Sequence, residues 1–175
     1  MVPIRKGDGT GLAAKGYSQV RKGDGTVLWN AIADTVVSRP DDDDEATGRD
    51  EEWGIRINTS QQWESIGAKL SSGGSGYETA KLYSVNNDSL MDQIDISGLS
   101  AGDVIKFEEV SLDANADYDI VVTADDFTTG FLNSPNLPFV SDDGNLSIIN
   151  GVDRAENETF ENLHNILEVG NVGFE

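Results

Sequence analysis

The stretch WGIRINTSQQWESIGAKL, from Trp53 to Leu70, decides the fold. Trp53, Ile55 and Ile57 alternate with small or polar residues, and Ile66, Ala68 and Leu70 repeat the pattern after the polar break NTSQQ. Alternation at period two reads as a half-buried strand, because successive strand side chains point to opposite faces. The same grammar continues downstream in TAKLYSV, SLMDQIDI, DVIKFEEV, YDIVVTA, NLSIING and NILEVG, divided by SSGGSG, NND, SGLSAG, DANAD and SDDG. Six to eight short strands at this spacing predict an all-β, antiparallel β-sandwich or jelly roll over residues 53–175. NETFENLHNIL (157–167) offers Phe160, Leu163 and Leu167 at helical spacing. A turn leading into a final strand is the preferred reading.

Composition bounds what such a sandwich can be. The 175 residues suffice for one hydrophobic core with a modest appendage. There is no cysteine, so disulfides and thiolate metal sites are excluded. The 32 acidic against 12 basic residues give a formal charge of −20, which repels nucleic acid. Such an excess strains a compact fold in dilute salt, but molar salt shortens the Debye length to about 3 Å and removes most of the repulsion. A high-salt cytoplasm suits this surface. The 37% apolar content, gathered in β-branched and aromatic runs, argues against disorder of the whole chain. The opening residues MVPIRKGDGT carry no apolar signal-peptide core, and no apolar run is long enough to predict membrane insertion.

Charge is distributed unevenly. Residues 1–30 hold five basic side chains (Arg5, Lys6, Lys15, Arg21, Lys22) and two acidic ones (Asp8, Asp24), a net of +3, which leaves −23 for the rest. Within this stretch RKGDGT occurs twice, at Arg5–Thr10 and Arg21–Thr26, each behind a β-branched residue, Ile4 or Val20. Asp-Gly between extended flanks is a hairpin signal. Two copies are too few for a free-standing solenoid. Residues 1–38 therefore read as a short extended docking arm, with Ile4, Arg5, Lys6, Val20, Arg21, Lys22, Leu28, Trp29 and Ile32 as the partner-docking residues. Residues 39–52, dominated by DDDDEATGRDEE, read as a solvated acidic linker.

Residues able to carry chemistry are few. His164 is the only histidine, no nucleophile elbow accompanies it, and the abundance of carboxylates makes their pairing uninformative about hydrolysis. The chain reads as non-enzymatic. Asp113, Asn115, Asp117 and Asp119 place oxygen ligands at alternate positions like the start of a calcium loop, but Tyr118 and Ala124 stand where the loop needs glycine and glutamate. A turn between strands is preferred there, with a structural cation as the sole candidate cofactor; Asp142-Asp143-Gly144-Asn145 reads the same way. Trp53, Trp63, Tyr77 and Tyr83 are candidates for stacking on a glycan, and Gly73-Gly74-Ser75-Gly76 is a candidate recognition loop. Acceptor triplets for N-glycosylation begin at Asn58, Asn87, Asn145 and Asn157, and without a signal peptide they decide little.

Residues 53–124, with the AKLYSV strand, the SGLSAGD turn and the LDANADYDIVV edge, resemble jelly-roll accessory domains of bacterial and archaeal extracellular proteins and of phage structural proteins. The RKGDGT arm together with the acidic surface resembles virion surface proteins of haloarchaeal tailed viruses. The resemblance implies a capsid turret, decoration protein or tail-fibre module on the virion surface. It further implies other virion proteins as partners through the arm, a homo-oligomer, and contact with host surface glycans. A free carbohydrate-binding module of a halophilic extracellular protein is the alternative, and such a module has no need of the arm.

Overall fold

The computed structural model describes residues 19–21, 27–30, 35–48, 51–71, 75–123 and 127–170. The chain divides into two compact units, Met1–Ala33 and Asp34–Glu175. In the first, β1 (Gln19–Arg21) and β2 (Val27–Asn30) pair antiparallel, with Val20 opposite Trp29. These strands flank the second RKGDGT, as a hairpin there requires. The turn itself, the first RKGDGT copy, and Ile4, Arg5, Lys6, Lys22 and Ile32 lie outside the described residues.

The second unit is an antiparallel β-sandwich, with no helix among the described residues. Its large sheet runs β12 (Phe139–Val140), β13 (Leu146–Asp153), β5 (Glu52–Thr59), β10 (Ala116–Thr123), β7 (Thr79–Ser84), β8 (Ser89–Asp95), with β14 (Glu158–Phe160) attached to β13. The small sheet runs β3 (Val36–Ser38), β16 (Ile166–Gly170), β6 (Ile66–Leu70), β9 (Val104–Phe107). A third set joins β15 (Leu163–His164), β11 (Phe127–Leu132) and β4 (Asp44–Gly48). The chain crosses from β5 to β6, back to β7, and again at β9 and β10, the wrapping habit of jelly-roll sandwiches.

The alternation read from the sequence is the reason the sheets face each other. In β10, Ile120 lies opposite Ile55 and Leu82, and Tyr118 opposite Ile57, so one apolar row crosses three strands. The small sheet answers with Val37, Ile66, Ala68, Leu70, Ile105, Phe107, Ile166 and Val169, all in the same core. Each fully buried branched side chain contributes roughly 1.5–3 kcal/mol to this association. Trp63 exchanges backbone hydrogen bonds of 2.9 Å with Leu112. Gly54 sits opposite Val121, where an added Cβ would stand 1.9 Å from the Ile120 carbonyl oxygen, so only glycine permits this close approach.

Residues 36–52 correct the expected boundaries. Val36–Ser38, expected in the arm, is β3 of the small sheet, and Asp44–Gly48, expected in a solvated linker, is β4 against β11. An edge strand needs backbone partners more than apolar side chains, and its acidic side chains can stay in water. Arg39 fastens the intervening turn: it is buried, Nε donates to the Ile166 carbonyl at 2.7 Å, and Nη2 pairs with Asp42 at 2.6 Å. The sandwich unit therefore begins at Asp34 and not at Trp53. NETFENLHNIL forms β14, β15 and the start of β16, the preferred strand reading.

Candidate functional site

The outer face of the large sheet gathers the densest set of functional groups in the sandwich. The strand register sets Asp119 between Arg56 and Tyr83, and Asp117 opposite Asn58. Asp119 is fully buried and takes a bidentate pair from Arg56, Nε–Oδ1 2.7 Å and Nη2–Oδ2 3.0 Å. Arg154 reaches the same carboxylate at 3.4 Å and also pairs with the exposed Asp88. The hydrogen bond to Asp119 holds Arg56 more firmly in its charged form. Glu52 accepts from Lys81 and from the Tyr83 hydroxyl, the latter at 3.0 Å. Burial, then the bond to Glu52, pushes the Tyr83 phenol up to about 12.

This lattice engages the groups that could bind or react. The Arg154 guanidinium lies 4.5 Å over the Tyr83 ring and occupies a face that a sugar ring would need. Trp63 and Tyr77 correct the glycan expectation more directly, since both are in the hydrophobic core, 7% and 5% exposed. Their rings fill the space between sheets, as aromatics at strand positions commonly do. Trp53 is half-buried, its indole N–H donating to Asp153 at 2.7 Å. In the Gly73–Gly76 loop, Ser75 pairs with Thr128, and residues 72–74 lie outside the described residues.

The lone histidine lies in a second cluster. His164 is buried among Phe131, Trp53 and Phe160, with ring centroids 4.9, 5.0 and 5.1 Å away. Burial first, then the nearby Arg39 cation, lowers its pKa to about 4 against the opposing pull of Asp42 and Asp153. Among the described residues its Nδ1 has no hydrogen-bond partner. The next residue, Asn165, is a structural hub in left-handed conformation (φ 62°): its side chain accepts from the Tyr77 hydroxyl at 3.1 Å and donates to the Trp53 carbonyl at 2.8 Å. Burial and the Asp42 carboxylate keep Tyr77 protonated far above its ordinary range.

The acidic turns are occupied by their own hydrogen bonds. Asp113, Asn115, Asp117 and Asp119 do not converge: Asp119 faces two arginines, Asp117 accepts from Asn58 at 2.7 Å, and Asp113 lies in the loop before β10. Alternate strand positions share a face but stay a strand repeat apart, which is why the calcium-loop spacing fails here. Among the described residues no group of three or more His, Asp or Glu side chains is placed to hold a metal. At Asp143, burial opposes ionisation, but bonds from Thr35, Asn145 and Ser141 outweigh it and hold the carboxyl at about 2.

Among the described residues a further polar surface is open to solvent. Along β7 and β8, Glu78, Thr79, Gln93, Asp95 and Ser97 line a shallow groove. The Ser97 N–H and hydroxyl hold the Asp95 carboxyl below its usual range. Sequence reading did not single out Arg39, Arg56, Arg154 or Asn165. The available signal was scarcity, since a cation inside so acidic a chain has many partners to choose from. No protein-family model matches the chain, and no curated protein matches it in sequence.

Proposed function

We propose that the protein is a non-enzymatic structural component of a virus particle assembled in high salt, docked through its basic N-terminal unit and projecting the acidic sandwich as a decoration, turret or fibre module. The observation that carries this reading is the separation of roles along the chain. A compact unit of residues 34–175 is preceded by a distinct unit in which residues 1–30 hold five basic and two acidic side chains. Of the six described cations in the sandwich, Arg39, Arg56, Lys69, Lys81 and Arg154 are already paired with carboxylates. The cations of the chain are otherwise concentrated by sequence in residues 1–30, which supports that segment as the part that meets an acidic partner. His164, Trp63, Tyr77 and Asp119 are taken up by packing and internal pairing, which favours scaffold over catalyst and weakens the free glycan-binding alternative. The resemblance to haloarchaeal virion proteins supplies the setting.

Deletion of residues 1–33 tests the docking role. In molar salt the truncated chain is expected to be a folded monomer by circular dichroism and light scattering, while the full chain assembles. Unchanged assembly after the deletion would overturn the reading.

A further inference from the structure

The edge of the large sheet at β8 is the surface of the sandwich best suited to receive another strand. Among the described residues β7 is its one ladder partner along the seven residues, and of the groups on its other side the Gln93 N–H is met by its neighbour's Asp92 carboxylate at 2.8 Å. Open edges of this length are ordinarily guarded, because they recruit further strands. Here the guard is acidic: residues 78–95 hold Glu78, Asp88, Asp92 and Asp95 against Lys81, which is paired with Glu52, while Arg154 reaches in to Asp88. The ladder is also irregular between Leu82 and Tyr83, which shifts β8 by one residue. Two such edges brought together would set carboxylates against carboxylates, a destabilising cross-strand arrangement. The same side chains favour a basic strand. Leu90, 49% exposed and opposite Tyr83 on the outer face, adds an uncovered apolar contact.

We infer that β8 accepts the N-terminal basic strand of a second copy, the Val20-Arg21 strand β1, in a strand-addition contact. The inference rests on the docking role proposed above and names its acceptor. Three features select this occupant. The segment is extended and hairpin-paired on one side, with β2 as the one ladder partner of β1 among the described residues. Its charge is complementary to the edge, +3 over residues 1–30 against four acids and one base over 78–95. It presents a β-branched residue next to a cation, the pattern that strand addition reads with main-chain bonds for affinity and alternate side chains for specificity. In molar salt the charges set register while backbone pairing and burial of Leu90 hold the contact. Arm on one copy and edge on the next make a head-to-tail interface, which closes into a ring or propagates as a filament.

The absence of cysteine makes the contact directly mappable. Full-length Val20→Cys, Arg21→Cys and Leu90→Cys variants are mixed pairwise in molar salt and treated with a short bismaleimide. Neighbouring strand positions face opposite sides, so one of the two arm cysteines is expected to cross-link to Leu90→Cys at least about tenfold more than Leu90→Cys links to itself. Predominant linkage of Leu90→Cys to itself would overturn the inference in favour of edge-to-edge pairing. Absence of both arm-to-edge adducts, in a chain whose assembly the 1–33 deletion abolishes, would overturn this acceptor and leave the docking role standing. Assembly that survives the deletion, or a full chain that stays monomeric, would overturn both.

Discussion

Asp119 and His164 are both buried titratable groups of one sandwich, and the fold accommodates them by opposite means. Asp119 is covered by two guanidiniums, Arg56 and Arg154, on the outer face of the large sheet. His164 gives up its charge inside an aromatic cage of Trp53, Phe131 and Phe160. Burying an unpaired ion costs several kcal/mol, so a group either finds a counter-charge or neutralises. The difference shows what an acidic chain does with few cations: it commits arginines where a carboxylate must be covered, and leaves the histidine to packing.

The sharpest way to break that comparison is Asp119→Ala. It leaves Arg56 without its bidentate partner and Arg154 with Asp88 alone, and the expected loss is about 3–5 kcal/mol in a denaturant titration. A loss below about 1 kcal/mol would mean that the arginines are not covering a buried charge but resting on a solvated one.

The His164 side of the comparison is read by pH. Its folded pKa of about 4 lies below the unfolded value near 6.5, so the unfolded chain binds the proton first on acidification. Above pH 6.5 both states are neutral and this residue adds no pH dependence. As pH falls from 6.5 toward 4, the stability gained from burying a neutral imidazole is lost, by about 3 kcal/mol in all. His164→Phe, which keeps an aromatic in the cage, is expected to remove that slope from the stability curve measured over the same window. An identical slope in both proteins would place the acid sensitivity in the carboxylates.

Much of this architecture was legible in residues. The short apolar runs read as strands are all present as strands, from Glu52–Thr59 to Ile166–Gly170, and where one face is buried, as in β7, the period of two is written into the sequence. The strands β3, β4 and β11 were not legible. DEATG carries no large apolar side chain, and its strand exists through backbone bonds to Phe127–Phe131, a long-range pairing that no local pattern records. The sites were less legible still. Asp117 and Asp119 are spaced like calcium ligands, yet their partners Asn58 and Arg56 come from β5, some sixty residues away, through a register that is set by the core. Trp63 and Tyr77 look alike whether they line a surface or fill a core; only the position of the second sheet decides.

The smallest expected effect tests whether exposure, and not the kind of ion pair, separates strong from weak contacts. Lys69 and Glu168 face each other across β6 and β16 on the outer side of the small sheet, 3.3 Å apart, with side chains 34% and 28% exposed. Their geometry resembles that of Arg56 with Asp119 in being cross-strand, but both side chains are more exposed than that pair and water reaches both groups. Lys69→Met is therefore expected to change stability by no more than about 1 kcal/mol in dilute salt. In molar salt, where the Debye length is about 3 Å, the change should vanish. A salt-independent loss of about 2 kcal/mol or more would place Lys69 with the buried arginines, and would mean that in this acidic chain even a half-exposed cation is needed to hold the sheets together.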